Sequence, residues 1–163
     1  MCRQNCKYPV LKRAFLFSCL TGLRWSDVYK LKWSEIEQDS NGRYSIVFKQ
    51  KKTEDYNYLP LSEQALNHIG ARKHSNANVF TLPYYSSSIT KNLQAWCECA
   101  GIEKQITYHC SRHGFAVMQL SLGTELFTLQ KLLGHINTAS TMVYADIVDT
   151  EKERAMDIVP DIF

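Results

Sequence analysis

Residues 109–147 read HCSRHGFAVMQLSLGTELFTLQKLLGHINTASTMVYADI, and this stretch decides the fold. Apolar residues return at three- and four-residue steps across His109 to Leu122, Glu125 to Leu133 and Thr138 to Ile147, which predicts three consecutive amphipathic helices. Polar groups are concentrated on them: His109, Arg112 and His113, then His135, then Tyr144. Taken singly, each has a plain structural explanation, because a lone His in a helix is commonly a hydrogen-bonded structural residue and a lone Tyr at helical spacing is commonly core. Their joint spacing argues otherwise. His109 and Arg112, at i and i+3, share one helix face. His135 follows Leu133-Gly134, where a helix-ending glycine lets the chain turn sharply and aim the next side chain. Tyr144 lies nine residues beyond His135, far enough to return to the same cleft.

Working outward, Val10, Leu11, Ala14, Phe15, Phe17 and Leu20 recur at helical steps from Pro9 to Leu20, and Gly22 is placed to stop that helix. A second helix comes at once, with Ser26 as its expected N-cap, Val28, Tyr29 and Leu31 facing inward, and Trp33 and Ile36 packing the turn after it. Asn41-Gly42 then punctuates the chain. Tyr44 to Phe48 reads as a strand rich in β-branched and aromatic residues, and Tyr56 to Leu61 as its partner, joined by a hairpin loop over Gln50 to Asp55. Helical patterns resume at Glu63 to Ile69 and at Ser86 to Ala100. The expected architecture is therefore mainly α with a small antiparallel β-sheet, an α+β domain. No internal repeat, low-complexity tract or polar linker divides the chain.

A chain of 163 residues with 45% hydrophobic content can bury one real core, so residues 1–163 are expected to form one domain. No stretch approaches the roughly 18 consecutive apolar residues of a membrane span, and the first residues lack the apolar region of a secretory signal. The six cysteines, Cys2, Cys6, Cys19, Cys97, Cys99 and Cys110, lie partly inside helical patterns and read as free thiols of a reducing compartment. Cys97-Glu98-Cys99 in an amphipathic helix points its two sulfurs to different sides, which disfavours zinc. A formal net charge of +3 is compatible with a polyanionic partner without demanding one.

The motifs carry the reading further. His109-Cys110-Ser111-Arg112-His113-Gly114-Phe115-Ala116, and Leu133-Gly134-His135 with Thr141 and Tyr144-Ala145 after it, resemble the two signature boxes of the tyrosine recombinase, or phage integrase, family. Thr21-Gly22-Leu23-Arg24-Trp25-Ser26-Asp27-Val28 resembles that family's Gly-Leu-Arg-x-x-Glu/Asp element, which supplies a first catalytic arginine, here Arg24, and a supporting acid, here Asp27. The family's catalytic lysine lies in the β-hairpin eight residues before the proline of the second strand, and counting back from Pro60 reaches Lys52, with Lys49 and Lys51 crowding the same hairpin. Gly114 stands where the family more often has Thr.

The chemistry independently wants these residue types. In-line attack on a DNA phosphodiester gathers negative charge on the phosphorus oxygens, which fixed cationic donors must meet. Arg24 and Arg112 suit that need, because each guanidinium is a planar fork of N–H donors that cannot lose its charge. No carboxylate cluster suited to magnesium stands out in the sequence, which disfavours a two-metal nuclease. Tyr144 is the expected nucleophile, a phenol that neighbouring cations and a base must activate. The resemblance implies that His109 accepts its proton, that His135 donates to the scissile phosphate, and that Lys52 protonates the departing 5′ oxygen. His113 is expected to support as a hydrogen bonder. Asp27 is expected to orient Arg24 or nearby backbone, a helix-start carboxylate being its plainer reading.

The function expected from these residues is that of a site-specific recombinase or integrase that cleaves and rejoins DNA through a 3′-phosphotyrosyl intermediate, with no metal and no cofactor. Alternatives are a type IB topoisomerase-like enzyme and an inactive DNA-binding relative. The resemblance further implies a piece truncated of an N-terminal core-binding domain, double-stranded recombination sites as partner, and a tetramer on DNA. By the same resemblance the tail, with Ala155, Met156, Ile158, Val159, Ile162 and Phe163 apolar, is expected to dock in trans on a neighbouring protomer, folding back in cis being the alternative for the isolated domain. The expected location is the bacterial cytoplasm, at the nucleoid, with no membrane association.

Overall fold

A proline opens the first helix, α1 (Pro9–Thr21), where its fixed φ and missing N–H suit an initial turn. Gly22 closes it. At φ 71° this residue adopts the left-handed conformation that an L side chain resists, and its N–H donates to Ser18 O at 2.9 Å. These contacts come from a computed structural model, which describes residues 8–49, 56–134 and 140–144.

α1 is buried on two sides. Leu11 and Phe15 join Ile89, Leu93 and Trp96 of α4 (Ser87–Cys99), together with Tyr108, in one apolar cluster. Phe17 turns the other way, onto Phe80, with ring centroids 5.3 Å apart. Fully burying each such side chain contributes roughly 1.5–3 kcal/mol, so α1 is the element around which the first part of the chain assembles. α2 (Trp25–Lys30) comes directly after and buries Val28, while α3 (Glu63–Ile69) lies against α1 with its N-terminus capped by Ser62 Oγ, which accepts from Ala65 N.

The sheet has three antiparallel strands in the order β1-β2-β3: β1 (Ile36–Gln38), β2 (Tyr44–Lys49) and β3 (Tyr56–Pro60). Sequence patterning anticipates β2 and β3 but reads Ile36 as part of a turn. The difference lies in the Asp39 turn. Asp39 Oδ1 accepts from Asn41 N at 2.8 Å and from Arg43 N at 2.9 Å, and Gly42 takes φ 79°. That tight reversal brings residues 36–38 back alongside residues 44–46 and creates a strand too short to show a period of its own. Ile46, fully buried, faces Ile36 on one neighbour and Leu59 on the other.

A second correction concerns α2, which begins at Trp25, so Ser26 lies inside the helix and Arg24 is its N-cap. The remaining helices fall within a residue of expectation: α4, α5 (Cys110–Ser121) and α6 (Leu126–Leu133). Residues 140–144 are helical, the described part of the third helix expected at Thr138 to Ile147. The hairpin loop, His135 and the tail lie outside the described residues.

The chain divides into two compact units, Met1–Arg112 and His113–Phe163. The core of the second is built by Phe115 and Ala116 of α5, Leu129 and Leu133 of α6, and Tyr144. Gly134 ends α6 in the left-handed conformation, φ 61°, and its N–H donates to Lys131 O at 3.0 Å, which is the sharp stop that the sequence places before His135.

Candidate active site

Arg24 gains its place from the helix it caps. Its φ of −74° and ψ of 160° are extended, its carbonyl accepts from Asp27 N and Val28 N, and its N–H donates to Asp27 Oδ2 at 3.2 Å. Asp27 therefore secures the backbone of Arg24, as a carboxylate in a first helical turn does. The Arg24 side chain is exposed.

Arg112 is held differently. Only 2% exposed, it donates from Nη1 to Gly22 O at 2.7 Å, a charge-assisted bond that fixes the plane of the guanidinium. The left-handed turn at Gly22 thus ends α1 and, in the same residue, presents the carbonyl that Arg112 grips. On the other side the turn before α5 is anchored by Tyr108. Its hydroxyl donates to Ala14 O at 2.8 Å and accepts from Ser18 Oγ at 2.7 Å, ninety residues away in sequence. Burial pushes the Tyr108 phenol well up from its ordinary value, outweighing the Ser18 hydrogen bond, so it stays neutral. Ser111 Oγ bonds Tyr108 O at 2.7 Å, and Arg112 N bonds His109 O at 3.1 Å, which closes the first turn of α5 with His109 just before it.

Arg24, His109 and Arg112 line one cleft of about 340 Å³, with Trp25, Tyr85 and Tyr108 among its walls. The Arg24 element and the His109–Arg112 box thus meet in space. Trp25 stands edge-on to Tyr108 at 4.7 Å and to Tyr85 at 5.1 Å. The sequence reading missed these walls. Trp25 is signalled only by its place beside Arg24, and Tyr85 by nothing in spacing, since it reaches the cleft from the segment before α4. Two guanidinium groups and an imidazole beside flat apolar walls can offer fixed positive charge and hydrogen-bond donors to an anionic group.

Tyr144 belongs to the second unit. It is 4% exposed, gripped by Phe115, Ala116, Leu129 and Leu133, and its hydroxyl lies 2.9 Å from His113 Nδ1, the two rings tilted at 58°. His113, named from the sequence only as a supporting hydrogen bonder, has its imidazole Nδ1 at the tyrosine oxygen. Lys52 and His135 lie outside the described residues. Cys19, Cys97, Cys99 and Cys110 are unbridged. Among the described residues no group of three or more His, Cys, Asp or Glu is arranged to hold a metal ion, and no helix is long and apolar enough to cross a membrane.

Residues 1–151 match the model of the phage integrase family. The chain belongs to that family. Among its relatives, the tyrosine recombinase XerD of Lacticaseibacillus casei is 28% identical over 141 residues, which is 78% of this chain and 47% of that protein. The tyrosine recombinase XerC of Brucella melitensis biotype 1 is 29% identical over 145 residues, 84% of this chain and 45% of that one. This integrase-family chain spans about half the length of the curated relatives it matches. Its fold is that of the family's solved structures. The XerH site-specific recombinase bound to its palindromic difH substrate, a post-cleavage complex, superposes with a TM-score of 0.70 at 20% identity, over 92% of this chain and 46% of that one. The catalytic domain of bacteriophage HP1 integrase superposes with a TM-score of 0.64 at 24% identity, over 96% and 86%.

Proposed function

We propose that residues 1–163 form the catalytic domain of a site-specific DNA recombinase, and that it cuts and rejoins strands through a covalent 3′-phosphotyrosyl bond at Tyr144. The observation that carries this reading is the cleft in which Arg24, His109 and Arg112 come together from segments almost ninety residues apart. A scissile phosphate there is met by two forks of fixed positive charge, worth most where charge develops in the transition state. Tyr144 attacks phosphorus, and the 5′ oxygen leaves with a proton from Lys52. His135 donates to a phosphate oxygen, and Asp27 keeps Arg24 in place. A phosphotyrosine conserves the energy of the phosphodiester, so a 5′ hydroxyl from another strand can reverse the step without ATP.

The partner in this reading is double-stranded DNA carrying the recombination site, bound by four copies of the protein in the bacterial cytoplasm at the nucleoid. The apolar tail from Thr150 to Phe163 docks on a neighbouring copy. The support is family membership together with bacterial relatives named as tyrosine recombinases.

The test is a nicked suicide substrate, whose broken strand lets the 5′ end diffuse away and traps the adduct. The parent protein accumulates a covalent complex, and Tyr144→Phe binds the same DNA without forming one. An adduct that survives in Tyr144→Phe assigns the nucleophile elsewhere, and its absence from the parent refutes strand cleavage by this chain.

A further inference from the structure

We propose that Tyr85 contacts the substrate: its ring is the surface against which the deoxyribose beside the scissile phosphate packs, and it fixes how the strand lies across the cleft. The inference rests on the strand-cleavage reading above and adds a residue that none of the sequence boxes contains. Tyr85 lines the cleft with Leu23, Arg24, Trp25, His109 and Arg112, all within the first compact unit. That cleft has a charged part, made by the two arginines and the histidine, and an apolar part, made by the leucine and the aromatic rings. A phosphodiester divides in the same way. Its charge sits on two non-bridging oxygens, and each bridging oxygen carries a sugar whose outer surface is mostly C–H.

Two contacts hold the Tyr85 ring in place. It stands edge-on to Trp25 at 5.1 Å, and its hydroxyl shares a hydrogen bond with Thr90 Oγ1 of α4 at 3.3 Å. Trp25 is backed in turn by Tyr108, 4.7 Å away, whose hydroxyl is pinned to Ala14 O of α1. The ring therefore rests on a braced wall, yet Tyr85 is still 41% exposed. A fixed aromatic surface that folding leaves partly in water gains by covering the remainder, and it does so at little further loss of side-chain entropy. Exposure alone does not single it out, since the adjacent Tyr84 is 82% exposed but does not line the cleft.

The sugar, not the base, meets the ring. In a duplex each base is paired and stacked, and drawing it out costs free energy that one partly exposed tyrosine does not offset. The deoxyribose already lies on the outside, attached to the phosphate itself, and without a 2′ hydroxyl it covers an aromatic face without stranding a polar group. The consequence is orientation. With the phosphate oxygens held by Arg24 and Arg112 and one neighbouring sugar held by Tyr85, the strand has a single way to lie, which sets the line along which the bond to the leaving oxygen points.

A cycle between protein and substrate tests the contact on the nicked suicide substrate. The nucleoside on each side of the scissile phosphate is replaced in turn by a three-carbon spacer, which keeps the phosphodiester without a ring, or by a tetrahydrofuran abasic residue, which keeps the sugar ring without a base. At saturating DNA, Tyr85→Ala is expected to form the adduct about tenfold more slowly than the parent on the ordinary substrate, the scale of one lost aromatic contact. At one of the two positions the spacer slows the parent by a similar factor but slows Tyr85→Ala less than about twofold, whereas the abasic residue leaves the difference between the two proteins in place. Tyr85→Phe keeps the ring and recovers the parental dependence on the sugar, and Tyr84→Ala, outside the cleft, behaves as the parent. Penalties that are independent at both positions overturn the proposal, and a difference that vanishes with the abasic residue assigns the contact to a base and overturns it too. A parent that makes no adduct on the ordinary substrate sinks the strand-cleavage reading instead. Without turnover, in Tyr144→Phe, the 13C-labelled ring of Tyr85, assigned through Tyr85→Phe, shifts when uncut duplex is added and stays put with inorganic phosphate. A ring signal that duplex leaves unmoved, or that phosphate moves as far, means that no sugar reaches it, and the proposal fails.

Discussion

Tyr108→Phe isolates the pin that ties the turn before α5 to α1. The ring is retained, so its edge-on contacts with Phe15 at 5.7 Å and Trp25 at 4.7 Å survive. The change removes one hydroxyl with two bonds, to Ala14 O at 2.8 Å and from Ser18 Oγ at 2.7 Å. A net contribution of about 1 kcal/mol per buried hydrogen bond sets a ceiling near 2 kcal/mol. Relief lowers it. Ala14 O keeps its helical partner, so its bond counts for about half of that single-bond value, and a loss of about 1.5 kcal/mol is expected. Ser18→Ala costs about 0.5 kcal/mol in the parent, the lost hydrogen bond being partly offset by the better helix propensity of Ala. In the Tyr108→Phe background the bond is already gone, and the same change becomes stabilising by about 0.5 kcal/mol. The cycle therefore closes on a coupling of about 1 kcal/mol between Ser18 and Tyr108. Urea unfolding followed by tryptophan fluorescence measures all four proteins, with Trp25 beside the mutated ring as reporter, and the m-values should agree. Additive effects, with coupling below about 0.3 kcal/mol, would show that the hydroxyl pair contributes nothing to docking and refute the reasoning.

The same geometry sets other outcomes. Arg24→Ala and Arg112→Ala should each slow covalent-complex formation by at least about 100-fold, and an effect below about tenfold removes that arginine from the phosphate site. Arg112→Ala should also destabilise the fold, because Gly22 O loses its 2.7 Å partner inside the protein, whereas exposed Arg24→Ala should leave the urea midpoint nearly unchanged. Lys52→Ala should be rescued by a substrate whose bridging 5′ oxygen is sulfur, since a thiolate leaves without a proton, and rescue of Lys51→Ala instead would move the general acid by one residue. Gly114→Ala should stabilise the protein by about 0.8 kcal/mol in urea, because an added Cβ there meets nothing within 4 Å and Ala is the better helix former. Loss of stability would mean that α5 tolerates no side chain at that turn.

Local information in the sequence determined the helices, the two longer strands, the sharp stops at Gly22 and Gly134, and the residue boxes that mark the family. Each of these depends on neighbours within a few positions, through helical periodicity, capping and the freedom of glycine at positive φ. β1 escaped, because three residues cannot display a period and become a strand only when the Asp39 turn lays them beside β2. The cap of α2 escaped for a related reason: Ser26 has the better capping side chain, yet the bond from Arg24 N to Asp27 sets the helix start two residues earlier. The residue types of the candidate site were legible, but their use of space was not. That Gly22 offers its carbonyl to Arg112, that Tyr108 reaches Ala14 and Ser18, that Tyr85 walls the cleft, and that His113 meets the Tyr144 hydroxyl are matters of which side chains are brought together across long stretches of chain. Only the tertiary structure decides these, because burial makes an unpaired polar group costly and so selects distant partners that no local pattern encodes.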